Sequence, residues 1–148
     1  MSRKYKNLDI TLVITHRCNA KCVMCSSYEN PSCVKDEISI EDIKKIPASK
    51  FIQITGGEPF MRNDLEDIAD ILSKRSQRLM INTNGFFTDK IIDLCKKYPS
   101  LAVRISIDGK REVHNSIRRI DIYDKAIASL DALKKLGIAD LGIRFTYL

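Results

Sequence analysis

Ile10-Thr-Leu-Val-Ile-Thr15-His-Arg-Cys18-Asn-Ala-Lys-Cys22-Val-Met-Cys25 joins an apolar, β-branched run to three closely spaced thiols. The run predicts a strand from Asp9 to Thr15, and the thiols fall in the loop that leaves it. Three thiolates can hold three irons of a four-iron, four-sulfur cube and leave the fourth open, whereas ferredoxin-type carriers close the cube with four cysteines. An open metal position can take a substrate or cofactor directly, which separates a catalytic site from a structural one. A zinc ion completed by His16 or Cys33 is the competing reading of these residues.

Further along the chain, apolar β-branched runs alternate with amphipathic stretches, the pattern of parallel strands joined by helices. Strands are expected at Asp9 to Thr15, Phe51 to Thr55, Leu79 to Asn82, Ala102 to Ile107 and Leu141 to Tyr147. Four helices are expected between them. The first runs from Ser39 to Ile46, and the second opens at an Asn63–Glu66 capping box. The third is capped by Thr88, and the fourth opens at Asp121 and stops at Gly137. Cys95 falls on the apolar face of the third helix and reads as core. The longest irregular stretch, Ser26 to Glu37, follows the thiols, where a long loop tends to be functional.

The expected fold is a partial (β/α) barrel, one domain over residues 1–148 with five strands and four helices, open and cut short after its fifth strand. An open sheet edge recruits other strands. A fragment, a chain completed by a partner, and self-association along that edge therefore stand as alternatives.

In parallel α/β folds ligands gather at the C-terminal ends of the strands. The unusual motifs all fall there: the cysteine run after the first strand, Gly56-Gly57-Glu58-Pro59 after the second, Thr83-Asn84-Gly85 after the third, and Ser106-Ile-Asp108-Gly109 at the fourth. Paired glycines let backbone approach a ligand closely, Glu58 is an anion able to pair with an ammonium, and Pro59 stiffens the exit. Ser106 and Asp108, two apart, share one side of an extended strand. Asp108 could accept from ribose hydroxyls or start the turn at Gly109, and Asn84-Gly85 also reads as a routine turn. Arg118 or Arg119 could hold a carboxylate bidentately. His114 reads as a polar loop residue.

The chain resembles the first five strands of a radical S-adenosylmethionine (radical SAM) core, in the branch that contains the molybdenum-cofactor enzyme and the peptide- and sulfatase-maturing (SPASM-like) enzymes. The resemblance implies that Cys18, Cys22 and Cys25 bind a [4Fe-4S] cluster whose open iron chelates SAM. It implies further that Met24 packs near the adenine, that Gly56, Gly57, Glu58 and Pro59 meet the SAM amino group, and that Ser106 faces SAM. Arg118, in His114-Asn115-Ser116-Ile117-Arg118, is implied to bind the SAM carboxylate. Asn84 and Asp108 complete the expected cofactor-binding set, and no protein acid, base or nucleophile is singled out. The implied activity is reductive cleavage of SAM to a 5'-deoxyadenosyl radical that abstracts hydrogen from a substrate. A non-catalytic metal- or SAM-binding module is the alternative. The sequence departs from the family pattern at Met24, where an aromatic residue is common, at Arg119, where glycine is usual, and on the fifth strand, which lacks a glycine-and-glutamate pattern.

Five cysteines, three of them in one loop, suit a reducing compartment and a metal rather than disulfides. The apolar run at Ile10–Ile14 is too short for a signal core or a span, so a cytoplasmic location without membrane contact is expected. The net charge of +6 comes mainly from dyads at expected helix ends, Lys44-Lys45, Lys74-Arg75, Lys96-Lys97 and Lys134-Lys135, where the helix dipole favours cations. That placement disfavours nucleic acid. It leaves a basic surface suited to an acidic electron donor such as ferredoxin or flavodoxin.

Overall fold

The computed structural model describes residues 6–147; the charged start, Met1 to Tyr5, lies outside them. β1 (Lys6–Val13), β2 (Ser49–Thr55), β3 (Ser76–Thr83), β4 (Ala102–Ser106) and β5 (Leu141–Arg144) form one parallel sheet in the order β1-β2-β3-β4-β5. Between them run α1 (Ile40–Ile43), α2 (Leu65–Ser73), α3 (Thr88–Lys97), α4 (Arg111–Arg118) and α5 (Tyr123–Lys135).

The sheet has two different faces because side chains alternate along each strand. Ile52, Ile54, Ile81, Val103 and Ile105 are fully buried in the core, with Ile68 and Leu72 of α2, Ile91 of α3 and Leu133 of α5. The intervening positions, Gln53, Thr55, Met80, Asn82, Arg104, Ser106 and Arg144, lie on the other face, as the strand registers require. That second face is mostly polar, so it is built to meet something other than a helix.

Four expectations about elements are corrected. α1 is a single turn rather than the full Ser39–Ile46 stretch, although Ser39 does cap it, accepting from Asp42 N at 3.2 Å. The Asn63 capping box does not form: α2 starts at Leu65 after Asp64, whose carboxylate is taken by Arg62 at 2.6 and 2.8 Å. Thr88 lies inside α3 rather than before it, and its hydroxyl accepts from Ser129 of α5 at 2.8 Å. β5 ends at Arg144, level with Ser106 at the end of β4, because β4 is its only partner among the described residues.

The fifth helix, α4, was expected as loop. Its inward positions are His114 and Arg118, both buried and both polar, so hydrophobic periodicity does not reveal it. α4 also explains how α5 begins without a cap from Asp121. Asn115 Oδ1 accepts from Ile122 N at 3.1 Å and Tyr123 N at 3.0 Å, satisfying two free donors at the start of that helix. Two expectations are met: Cys95 is buried in the core, and Lys96-Lys97 and Lys134-Lys135 occupy the last turns of α3 and α5.

Candidate functional site

A cavity of about 200 Å³ opens at the C-terminal ends of the strands, and Cys18, Cys22 and Cys25 all line it. The loop carrying them is anchored from two sides. On one side, Gly57 N donates to Thr15 O at 2.7 Å and Glu58 N to Arg17 O at 2.8 Å. A Cβ at Gly56 would sit 2.4 Å from Thr15 O, and one at Gly57 2.3 Å from Arg17 O. The paired glycines are therefore required by close approach of the cysteine-loop backbone itself. On the other side, Lys21 N donates to Arg118 O at 3.1 Å and Val23 N to Ile117 O at 2.9 Å. These are carbonyls at the end of α4, which have no partner within their own helix.

Arg119, just past α4, has φ 53, the left-handed conformation that glycine adopts without cost. A glycine, as the resemblance led one to expect at this position, would take that conformation without strain.

The long loop is pinned by Glu37, whose side chain is 2% exposed. Its carboxylate accepts from Arg17 Nε at 2.8 Å, Arg17 Nη2 at 2.9 Å and Ser32 Oγ at 2.7 Å, and also from the Thr15 hydroxyl. Burial works against its charge, but the hydrogen bonds from Arg17, Thr15 and Ser32 prevail and hold it down at about 2. Arg62 ties the same region together, donating to Ile14 O at 2.8 Å and Ile38 O at 3.1 Å.

Of the residues singled out in sequence, the structure brings Cys18, Cys22, Met24, Cys25, Gly56, Gly57, Asn84, Ser106 and Arg118 to the cavity wall. Glu58, Pro59 and Asp108 are buried beneath it. Glu58 accepts from Phe60 N at 3.1 Å, Thr83 Oγ1 at 2.9 Å and Asn84 N at 2.7 Å, so it braces the β2 and β3 loops against each other. Burial pushes it up to about 7, against the pull of those three donors.

Asp108 does not share the cavity with Ser106, because β4 ends at Ser106 and the chain turns into α4. Its carboxylate accepts from Arg118 Nε at 2.5 Å, Arg118 Nη2 at 2.9 Å and Thr146 N at 3.1 Å. The third arm of Arg118, Nη1, lies 3.7 Å from Cys22 Sγ. His114 Nδ1 accepts from Asp108 N at 3.1 Å; burial, and then Arg118, lower its pKa, which keeps the ring neutral. His16 is exposed and Cys33 is exposed on its loop. Among the described residues no three His, Cys, Asp or Glu side chains are grouped to hold a metal ion.

Sequence reading passed over Arg17, Glu37 and Asn82. Arg17 and Glu37 are twenty residues apart and carry no local signal. Asn82 could have been found: it alternates with buried Leu79 and Ile81 at the C-terminal end of β3, a polar residue on the ligand side.

A parallel sheet with three thiols, a glycine pair and an arginine gathered on its C-terminal rim defines a cofactor-binding partial α/β barrel. Residues 12–148 match the Radical SAM superfamily, and the chain belongs to that family. It is 33% identical over 143 residues to Fe-coproporphyrin III synthase of Methanosarcina barkeri, covering 90% of this chain and 35% of that protein. It is 32% identical over 136 residues to GTP 3',8-cyclase of Aliarcobacter butzleri, covering 84% of this chain and 42% of that one. The chain thus spans well under half the length of these relatives. The fold is shared with the solved structure of native anSMEcpe with bound AdoMet and Cp18Cys peptide, at TM-score 0.68 and 20% identity, covering 93% of this chain and 42% of that one. No helix among the described residues is long and apolar enough to cross a membrane.

Proposed function

We propose that this chain is the cluster- and SAM-binding part of a radical SAM enzyme. The observation that carries the reading is the convergence on one cavity of three thiols from a single loop with Gly56, Gly57, Asn84 and Ser106 from three other strand ends and Arg118 from the end of α4. The donor set fits a [4Fe-4S] cluster held at three corners. Cys22 is buried beside the Arg118 guanidinium, whose Nη1 lies 3.7 Å from its Sγ. Cys18 is pushed up to about 11, chiefly by burial, so metal binding must displace its proton.

When bound and reduced, such a cluster supplies the electron that cleaves SAM to methionine and a 5'-deoxyadenosyl radical able to abstract hydrogen from a substrate. The residues of this chain bind, orient and exclude water. Cys18, Cys22 and Cys25 are the ligands. Gly56, Gly57, Asn84, Ser106 and Met24 form the wall against which SAM lies. Arg118 offers a positive edge to its carboxylate while Asp108 fixes the guanidinium in place. Glu58 and Pro59 act from beneath, holding the β2 exit rigid. The net charge of +6 suits an acidic reductant in the cytoplasm, such as ferredoxin or flavodoxin. SAM-derived chemistry on a tetrapyrrole, a nucleotide or a peptide would be in keeping with its relatives and its structural neighbour.

The test is anaerobic reconstitution with iron and sulfide, followed by dithionite and SAM. Formation of 5'-deoxyadenosine is expected, and Cys22→Ala should reduce both bound iron and nucleoside to background. A single bound zinc with no cleavage would overturn the reading in favour of a binding module.

A further inference from the structure

Among the described residues of the cavity wall, Asn82 is the one whose buried side-chain polar atoms have no hydrogen-bond partner. It is 7% exposed, and both its Oδ1 and its Nδ2 are buried without a hydrogen-bond partner. Asn84, Thr83 and Arg104 around it are paired. Asn84 donates to Asn19 Oδ1 at 2.7 Å and accepts from Phe86 N at 3.0 Å. Thr83 donates to Glu58 and accepts from Gly85 N at 3.1 Å. Arg104, opposite Asn82 on β4, turns its guanidinium to Asp140 at 2.6 Å. A buried amide with neither atom paired destabilises the empty protein, and its position on a cavity wall calls for a partner that arrives from outside.

The place of Asn82 in the sheet says what that partner offers. β3 lies between β2, whose exit carries Gly56 and Gly57, and β4, which ends at Ser106. On the β2 side the one nearby anion, Glu58, already has both oxygens engaged with Phe60, Thr83 and Asn84. Past β4, Arg118 of α4 reaches the cavity wall with its Nε and Nη2 on Asp108 and its Nη1 beside Cys22 Sγ, leaving that Nη1 edge as the cation there. An amide between them presents an acceptor and a donor side by side, the complement of an ammonium next to a carboxylate. We propose that Asn82 is a specificity-determining contact for the α-amino-acid end of SAM, accepting from its ammonium and donating to its carboxylate. This rests on the reading of the cavity as a SAM site.

The test compares the reconstituted wild-type chain with Asn82→Leu, an apolar replacement of similar volume. SAM binding is measured by equilibrium dialysis, with methionine and 5'-deoxyadenosine as separate competitors. The Leu variant is expected to keep its iron content and to bind SAM about tenfold more weakly or worse. Competition by methionine should weaken in parallel while competition by 5'-deoxyadenosine stays unchanged. The cluster-free variant is expected to melt at a higher temperature than wild type, because an unpaired amide has been removed; a structural asparagine would give the reverse. Unchanged SAM affinity, a lowered melting temperature, or loss of 5'-deoxyadenosine competition instead of methionine competition would overturn the assignment. Failure of the wild-type chain to bind SAM at all would sink the underlying reading, a result distinct from wild-type binding that Asn82→Leu leaves untouched.

Discussion

Glu37 and Glu58 are both buried carboxylates that brace the loop of thiols, one from the long loop after it and one from the β2 exit. Glu37 sits in a half-buried stretch and is held at about 2, whereas Glu58 is fully enclosed and is pushed to about 7. The difference lies in how deep each sits and in the company each keeps. Glu37 meets the fork of Arg17 along with two hydroxyls, a charge-assisted arrangement that outweighs the loss of water. Glu58 meets two backbone N–H groups and one hydroxyl, all neutral, and these do not fully offset its desolvation. Full enclosure among neutral donors thus raises one carboxyl, while a shallower site with a bidentate arginine lowers the other.

The sharpest way to break this comparison is Glu37→Gln. It leaves the Arg17 fork without its anion in a mostly buried setting, and a loss of about 2–4 kcal/mol of folding stability is expected in urea titrations. A loss below about 0.5 kcal/mol would mean that Arg17 and Glu37 are not a working pair.

Glu58→Gln should be milder at neutral pH, about 1–3 kcal/mol, because one amide hydrogen must then face a donor. Its signature is in the pH dependence. A carboxyl at about 7 in the folded chain and near 4.5 when unfolded contributes stability that is present below 4.5 and lost as pH rises through about 7. Glu37, lowered from 4.5 to about 2, contributes stability present above 4.5 and lost as pH falls toward 2. Unfolding of the cluster-free protein followed from pH 3 to 8 should show both limbs. Glu58→Gln is expected to flatten the neutral limb and Glu37→Gln to shrink the acid one. Variants that affect the opposite limbs would reverse the explanation.

The smallest effect concerns the far anchor of the same loop. Arg119→Gly relieves a left-handed backbone and should raise stability by about 0.5–1 kcal/mol without altering either pH limb. Destabilisation instead would show that the Arg119 side chain contributes more than its backbone strain removes.

What could be foreseen followed from local pattern. The β2 and β4 strands, α3 and α5 carry their apolar residues at their own periods, and turn glycines punctuate them, so the alternating parallel architecture was legible. The cysteine spacing and the glycine pair marked the rim because their chemistry is unusual in so short a span. α4 escaped because His114 and Arg118 fill its buried face. Thr88, Asn63 and Asp121 misled because capping propensity is weak beside tertiary partners: Ser129, Arg62 and Asn115 determine what those helix starts look like.

Sequence alone determined the strand order of the motifs and hence the rim on which the thiols, Gly56-Gly57, Asn84 and Ser106 would meet, since side-chain period and parallel connection are local and topological constraints. Only the tertiary structure decided which polar groups face the cavity and which hold it up. Glu58 and Asp108 turn away to pair with donors from other loops, whereas Asn82 keeps an unpaired amide on the wall. The reason is physical: a buried polar group goes where its hydrogen-bond partners are, and those partners come from distant parts of the chain that no local pattern reveals.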